Sequence, residues 1–144
     1  MIYKNFKKKV QNYWKKLDNE KNYTLPNETI FRLLGHRKFN YKDKKILDMG
    51  IGDGANLLEF HRRDAKIFGC DIREKMIKRF YKINGFCSKN YFITDLNYEF
   101  PKLKTKMDLI NCKDTIYYLD KNKQFEFIKN CQTHLKKNGL FLFQ

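Results

Sequence analysis

No apolar run in this 144-residue chain approaches the ~20 residues that a membrane-crossing helix needs. The N-terminus is rich in lysine, carries Trp14 and lacks the apolar core of a signal peptide. Cysteine is scarce and scattered: Cys70, Cys87, Cys112 and Cys131 form no C-x-x-C pair. Free, buried thiols in a reducing cytoplasm are the simplest expectation. No His/Cys/Asp cluster has metal-ligand spacing, so no metal is expected.

Acidic residues are also few. Lys and Arg number 31 against 16 Asp and Glu, leaving a net charge of +15. Such an excess suits a polyanionic partner. Yet Lys far outnumbers Arg, and Asn, Ile, Phe and Tyr are abundant, as A/T-biased codon usage would give. Runs such as Lys7-Lys8-Lys9 read as solvated faces. Nucleic acid stays open as a partner but is not favoured.

An apolar fraction of 42% with 13 Phe supplies a core. A chain of this length buries roughly two thirds of its unfolded surface as one domain.

The organising stretch runs from Lys45 to Asn56, Lys-Ile-Leu-Asp-Met-Gly-Ile-Gly-Asp-Gly-Ala-Asn. A short apolar run ends in an acid, three alternating glycines follow, and an amphipathic segment begins at Ala55. This predicts a buried strand, a tight turn and a helix N-terminus. Gly50, Gly52 and Gly54 allow positive φ and present bare backbone to a ligand. The stretch satisfies the loose dinucleotide pattern G-x-G-x-x-(G/A), in which a pyrophosphate rests on the helix N-terminus. Asp48 and Asp53 argue against a phosphate there. At an effective dielectric of ~20, one like-charge pair at 4 Å costs about 4 kcal/mol. A cationic ligand would be attracted.

The acid-x-G-x-G-x-G turn resembles the first motif of class I (Rossmann-like) S-adenosylmethionine-dependent methyltransferases. The rest of the chain alternates helix and strand. Residues 1–20 read as a helix with Phe6, Val10, Tyr13, Trp14 and Leu17 on one face. Asn27 is the expected N-cap of a helix from Glu28 to about His36. Strands are expected at 45–48, 66–71, 91–94, 107–112 and 140–143. The intervening helices are expected at 55–63, 73–83 and 121–137, the last closed by Gly139 at its C′ position. Alternating elements of this kind give a three-layer αβα fold with a parallel sheet of order 3-2-1-4-5. Family members normally continue through two further strands. Their lack leaves the fifth strand as an apolar edge, where self-association is expected unless the chain is truncated.

The resemblance divides the chain into an N-terminal helical lid (1–40) and a cofactor-binding domain (41–144). Asp71 lies 21 residues after Gly50, the spacing that presents a carboxylate to a ribose diol. By the resemblance, Asp48 and the glycines help bind the donor. Asp71 holds the adenosine ribose, Ile72 packs on adenine, and Asp95-Leu96 reads the adenine edge; an Asx-turn is the alternative at Asp95. Backbone groups of Cys112 and Lys113 border the methionine moiety. Arg32 pairs with its carboxylate, and Trp14 and Tyr23 wall the methyl-donor end. For Trp14 and Arg32 the plain alternatives are core packing and a surface charge.

Tyr117 and Tyr118 face the acceptor, with Tyr118 the candidate catalytic residue. Where relatives with a general base often carry His, this chain has Tyr118. An unperturbed phenol, with pKa ≈ 10, is a poor base at neutral pH. Core or lid packing is an equal reading of both tyrosines. Asn-Pro-Pro-Tyr and Pro-Cys motifs are absent, which argues against the usual chemistry on exocyclic base nitrogens and on cytosine C5.

Methyl transfer from S-adenosylmethionine to a small-molecule acceptor, leaving S-adenosylhomocysteine, is thus the expected function. A nucleic-acid methyltransferase, a non-catalytic cofactor-binding subunit and an NAD-dependent dehydrogenase are the alternatives.

Overall fold

The computed structural model describes residues 25–144. Helix α1 (Glu28–His36) starts where the sequence places it. The Asn27 side chain accepts from the Ile30 amide at 3.2 Å, which satisfies one of the amides a helix start leaves unpaired. The Asn27 amide in turn donates to Asn56 Oδ1 at 2.8 Å, tying α1 to the segment that follows the glycine turn. Residues 1–24, with Trp14, Tyr23 and the first expected helix, lie outside the described residues.

The elements continue as β1 (Lys45–Met49), α2 (Ala55–Arg62), β2 (Lys66–Asp71), α3 (Glu74–Asn84), β3 (Tyr91–Ile93), β4 (Met107–Cys112), α4 (Lys121–His134) and β5 (Leu135–Phe143). The strands form one parallel sheet of order β3-β2-β1-β4-β5. Its central strand β1 is buried from Ile46 to Met49, as a strand covered on both faces must be. Alternation then divides the core. Ile46 joins Ile30, Leu57, Phe60, Ile77 and Phe80 beneath α1, α2 and α3. Leu47 and Met49 join Ile110, Phe127 and Cys131 beneath α4. Three layers result, with β1 at the centre.

One expectation fails. The fourth helix does not run to Lys137 with Gly139 as its C′ residue. It stops at His134, and Leu135 is already extended at φ −83°, ψ 147°. Leu135 pairs with Met107, whereas Leu140 pairs with Leu109. The stretch of β5 between these two pairs is longer than the stretch of β4 it faces, so the register there is irregular. Lys136 reaches Asp108 Oδ2 at 2.7 Å. Gly139 is needed for proximity rather than for a left-handed cap: a Cβ there would lie 3.1 Å from both Lys136 O and Met107 O. Among the described residues, β5 pairs only with β4. No described helix is long and apolar enough to cross a membrane.

Candidate functional site

The chain leaves β1 at Met49 and turns at once. The Gly50 and Ile51 amides both donate to Cys70 O, at 2.8 and 3.0 Å, so the turn is pinned to the end of β2. Gly50, Gly52 and Gly54 have φ of 78°, 57° and 86°, the left-handed region that favours glycine. They differ in what surrounds them. A Cβ at Gly50 would fall 2.2 Å from Thr115 Oγ1, and one at Gly54 would fall 2.1 Å from the Phe80 ring. Both positions are filled by the protein itself. At Gly52 the nearest atom is Arg73 Nη2, at 3.9 Å. Gly52 is thus the glycine whose missing side chain leaves room above the turn.

The expected carboxylates gather around this turn in distinct environments. Asp48 is buried, and its Oδ1 accepts from Asn111 Nδ2 at 2.7 Å. Burial, reinforced by the nearby Asp71 charge and opposed by the Asn111 hydrogen bond, pushes its pKa up to about 7. Asp71 closes β2. Its Oδ2 takes the Gly52 amide at 3.0 Å, and its Oδ1 takes the Arg73 amide and Nε at 2.9 and 3.1 Å. Arg73 Nη2 also lies 3.4 Å from Asp71 Oδ2, so the guanidinium faces both carboxylate oxygens, a contact that strand-end spacing alone does not reveal. Asp53 Oδ1 accepts from the Ala55 amide at 3.2 Å and so serves the start of α2. Ile72 is exposed beside Asp71.

Asp95 adopts the Asx geometry, its Oδ1 accepting from Asn97 N at 3.0 Å and Asn97 Nδ2 at 3.1 Å. Leu96 packs on the α4 side of the core.

The Asp48 environment has a measurable consequence. In the unfolded chain this carboxyl loses its proton near the ordinary value of ~3.9, whereas in the folded protein it keeps it to about 7. The native state binds the extra proton, so Asp48 makes stability fall as pH rises from about 4 to about 7, and the cost is complete above 7. Asp43, Asp108 and Asp114, whose pKa values are lowered, lose stability below that window. Denaturant titrations of wild type and Asp48→Asn at pH 5 and pH 8 are expected to show a smaller loss between the two pH values in the variant. Equal losses would remove Asp48 as the titrating group.

The loop after β4 supplies the remaining candidates. Cys112 is fully buried, and burial pushes its thiol far above the ordinary range. Its carbonyl accepts from the Gln144 amide at 3.2 Å. The Lys113 ammonium contacts the Asp114 carboxylate, which also accepts from Tyr117 OH at 2.7 Å. Thr115 Oγ1 lies 2.9 Å from Met49 O and 3.1 Å from Lys113 O, locking this loop over Gly50. Tyr117 and Tyr118 sit in a single 3₁₀ turn with ring centroids 4.9 Å apart, both exposed.

Arg32 is not drawn into this cluster. Its guanidinium is 71% exposed and pairs with Glu28 at 3.6 Å. Asn111 and Thr115 are the residues that sequence reasoning passes over. A polar side chain inside the apolar strand Met107–Cys112 is a signal for Asn111; Thr115 carries none.

A glycine turn after the first strand, with carboxylates at the ends of neighbouring parallel strands, defines a Rossmann-like nucleoside-binding domain. The family model described as "Methyltransferase domain" matches residues 46–139. The chain belongs to that methyltransferase family.

It is 30% identical over 104 residues to carboxy-S-adenosyl-L-methionine synthase of Campylobacter fetus, covering 69% of this chain and 43% of that protein. Its fold matches an S-adenosylmethionine-dependent methyltransferase of Clostridium acetobutylicum with a TM-score of 0.66 at 22% identity, over 96% of this chain and 56% of that one. It also matches phosphoethanolamine N-methyltransferase 1 of Haemonchus contortus, solved with phosphoethanolamine and S-adenosylhomocysteine. There the TM-score is 0.67 at 17% identity, over 95% of this chain and 31% of that one. The chain thus spans less than half the length of the curated relative it matches.

Proposed function

We propose that the protein binds S-adenosylmethionine across the carboxyl ends of β1, β2 and β3 and transfers its methyl group to a small molecule. The observation that carries this reading is the open face of Gly52 beside Asp71, in a chain of the methyltransferase family. The donor set fits an adenosyl cation. Asp71 would hold the ribose once the Arg73 side chain moves aside, Ile72 offers adenine an apolar face, and Asp95 has acceptor capacity beyond its turn. Asp48 and Asp53 place acidic groups about the turn, which favour a cationic ligand over a pyrophosphate.

Bound S-adenosylmethionine supplies an already activated methyl sulfonium. The chain's own residues then have to align the acceptor and exclude water, which can carry most of the rate. Tyr118 and Tyr117 border the acceptor and orient it. Partial burial and the Asp114 hydrogen bond push the Tyr117 phenol up, which keeps it a donor rather than a base. Free thiols at Cys70, Cys112 and Cys131 suit a cytoplasmic enzyme.

The test is S-adenosylhomocysteine formation from S-adenosylmethionine with separate fractions of a cell extract. Product is expected with the low-molecular-mass fraction. Turnover only with the RNA or protein fraction would contradict the small-molecule acceptor, and turnover with none would favour a non-catalytic subunit.

A further inference from the structure

All five strands are parallel, so the residues that open them share one end of the molecule. That end is basic. Lys45 opens β1, Lys66 opens β2, Lys106 precedes β4 and Lys136 follows the first residue of β5. The opposite end is acidic: β1 closes beside Asp48, β2 closes on Asp71, and β3 runs into Asp95. Codon bias alone would place lysine without regard to strand direction. Sheets carry only a small net dipole, so these lysines are not explained as partners of helix C-termini either.

Register makes the strand starts contiguous. Lys66 is the cross-strand neighbour of Lys45, and the Lys45 amide donates to Asp108 Oδ2 of β4 at 2.9 Å. Asp108 also gathers the Lys44 ammonium at 3.7 Å and the Lys136 ammonium at 2.7 Å. One carboxylate thus holds two lysines from separate segments, while Lys66 pairs with Asp43 at 3.0 Å. Lys66, Lys106 and Lys136 are exposed. With Lys42, six lysines stand here against the three carboxylates Asp43, Asp64 and Asp108, so the face stays basic after its ion pairs are made.

We infer that this face docks the phosphate backbone of a nucleic-acid duplex, at the end of the sheet away from the glycine turn. Neighbouring strands lie ~4.8 Å apart, so the row from β2 through β1 and β4 to β5 spans about 14 Å. Each strand of a duplex presents one phosphate per ~3.4 Å of axis, which sets about four phosphates against that row. Lysine meets phosphate as a point charge and reads no base edge, so docking is independent of sequence. Single strands are held instead by exposed rings on which bases stack. Among the described residues the exposed aromatics are Tyr98, Tyr117, Tyr118, Phe125 and Phe143, and none of them opens a strand. The duplex is a tether and not the methyl acceptor, because the glycine turn lies at the far ends of the same strands. The inference therefore stands apart from the methyl-transfer reading.

The experiment is fluorescence anisotropy of a labelled DNA duplex of about 20 base pairs and mixed sequence, titrated with the full chain. Between about 50 and 200 mM salt, four phosphate contacts should weaken binding about 100-fold. The triple variant Lys66→Gln/Lys106→Gln/Lys136→Gln is expected to lose at least tenfold in affinity at the lower salt and to show a flatter salt dependence. The variant Lys78→Gln/Lys121→Gln/Lys129→Gln removes as many charges from α3 and α4 and should stay within about threefold of wild type. Thermal midpoints check that both variants fold. Lys106→Gln alone leaves the ion pairs with Asp43 and Asp108 intact and should still weaken the duplex at least twofold. Equal losses in the two triple variants would mean attraction by net charge alone and would overturn the inference. So would the absence of duplex binding, or binding to phosphatidylserine vesicles in its place.

Discussion

Gly54→Ala is expected to destabilise the fold by about 2–5 kcal/mol. Two costs act together. Gly54 sits at φ 86°, where an L-residue loses about 1–2 kcal/mol. The added methyl would also lie 2.1 Å from two carbons of the Phe80 ring. Overpacking a well-filled core costs about 1–3 kcal/mol, and Phe80 has little freedom to yield. Its ring meets Tyr91 at 5.3 Å and Phe86 at 5.6 Å, and α3 is pinned to the sheet through Ile77 and Phe80. Gly52→Ala provides the contrast, since its φ is also positive but the nearest atom is 3.9 Å away. Urea titration should therefore rank Gly54→Ala well below Gly52→Ala. Equal midpoints would show that Phe80 does not hold the turn from below.

The second large effect concerns binding. Asp71→Asn is expected to weaken S-adenosylhomocysteine about 10- to 100-fold, in line with the ~1.5–3 kcal/mol that hydrogen bonds to a charged group contribute. The substitution keeps the shape at the end of β2 but replaces two acceptor oxygens by one acceptor and one donor. Because Arg73 competes for the same carboxylate, Arg73→Met is expected to bind S-adenosylhomocysteine at least as tightly as wild type. The pair of variants separates the two partners of Asp71. If Asp71→Asn left the dissociation constant unchanged, the ribose contact would lie elsewhere.

Local pattern makes much of this fold legible. The parallel order 3-2-1-4-5 follows from strands alternating with helices, and the start of α1 follows from Asn27. Gly85 is left-handed, at φ 67°, just past the end of α3, as a glycine two residues beyond a predicted helix end suits. What stays hidden depends on contacts distant in sequence. The end of α4 departs from the helical pattern because Leu135 is drawn into the sheet by pairing with Met107, and Lys136 by its ion pair with Asp108. Helical periodicity on 121–137 carries neither fact.

The same holds at the site. Gly50, Gly52 and Gly54 look equivalent in sequence, yet Thr115 and Phe80 fill the space beside the outer two and leave the middle one open. The acids are also legible as residues but not as charges. Asp48 is buried with its pKa near 7, and Arg73 lies against Asp71, so the turn is less negative than the bare sequence suggests. Preference for a cation over a phosphate therefore rests on Asp53, and on Asp48 once it is ionised above about pH 7, more than on Asp71.

Thermal denaturation of the full chain at pH 8, where Asp48 is mostly ionised, with S-adenosylmethionine, S-adenosylhomocysteine, NAD or NADP added in turn, tests this preference most directly. Ligand at about a hundred times its dissociation constant stabilises by roughly 2.7 kcal/mol, a shift of several degrees for a chain of this size. The midpoint should rise with the two adenosyl compounds and stay fixed with the two dinucleotides. A rise with NAD or NADP alone would mean that the turn seats a pyrophosphate, and the preference for a cationic nucleoside would be contradicted.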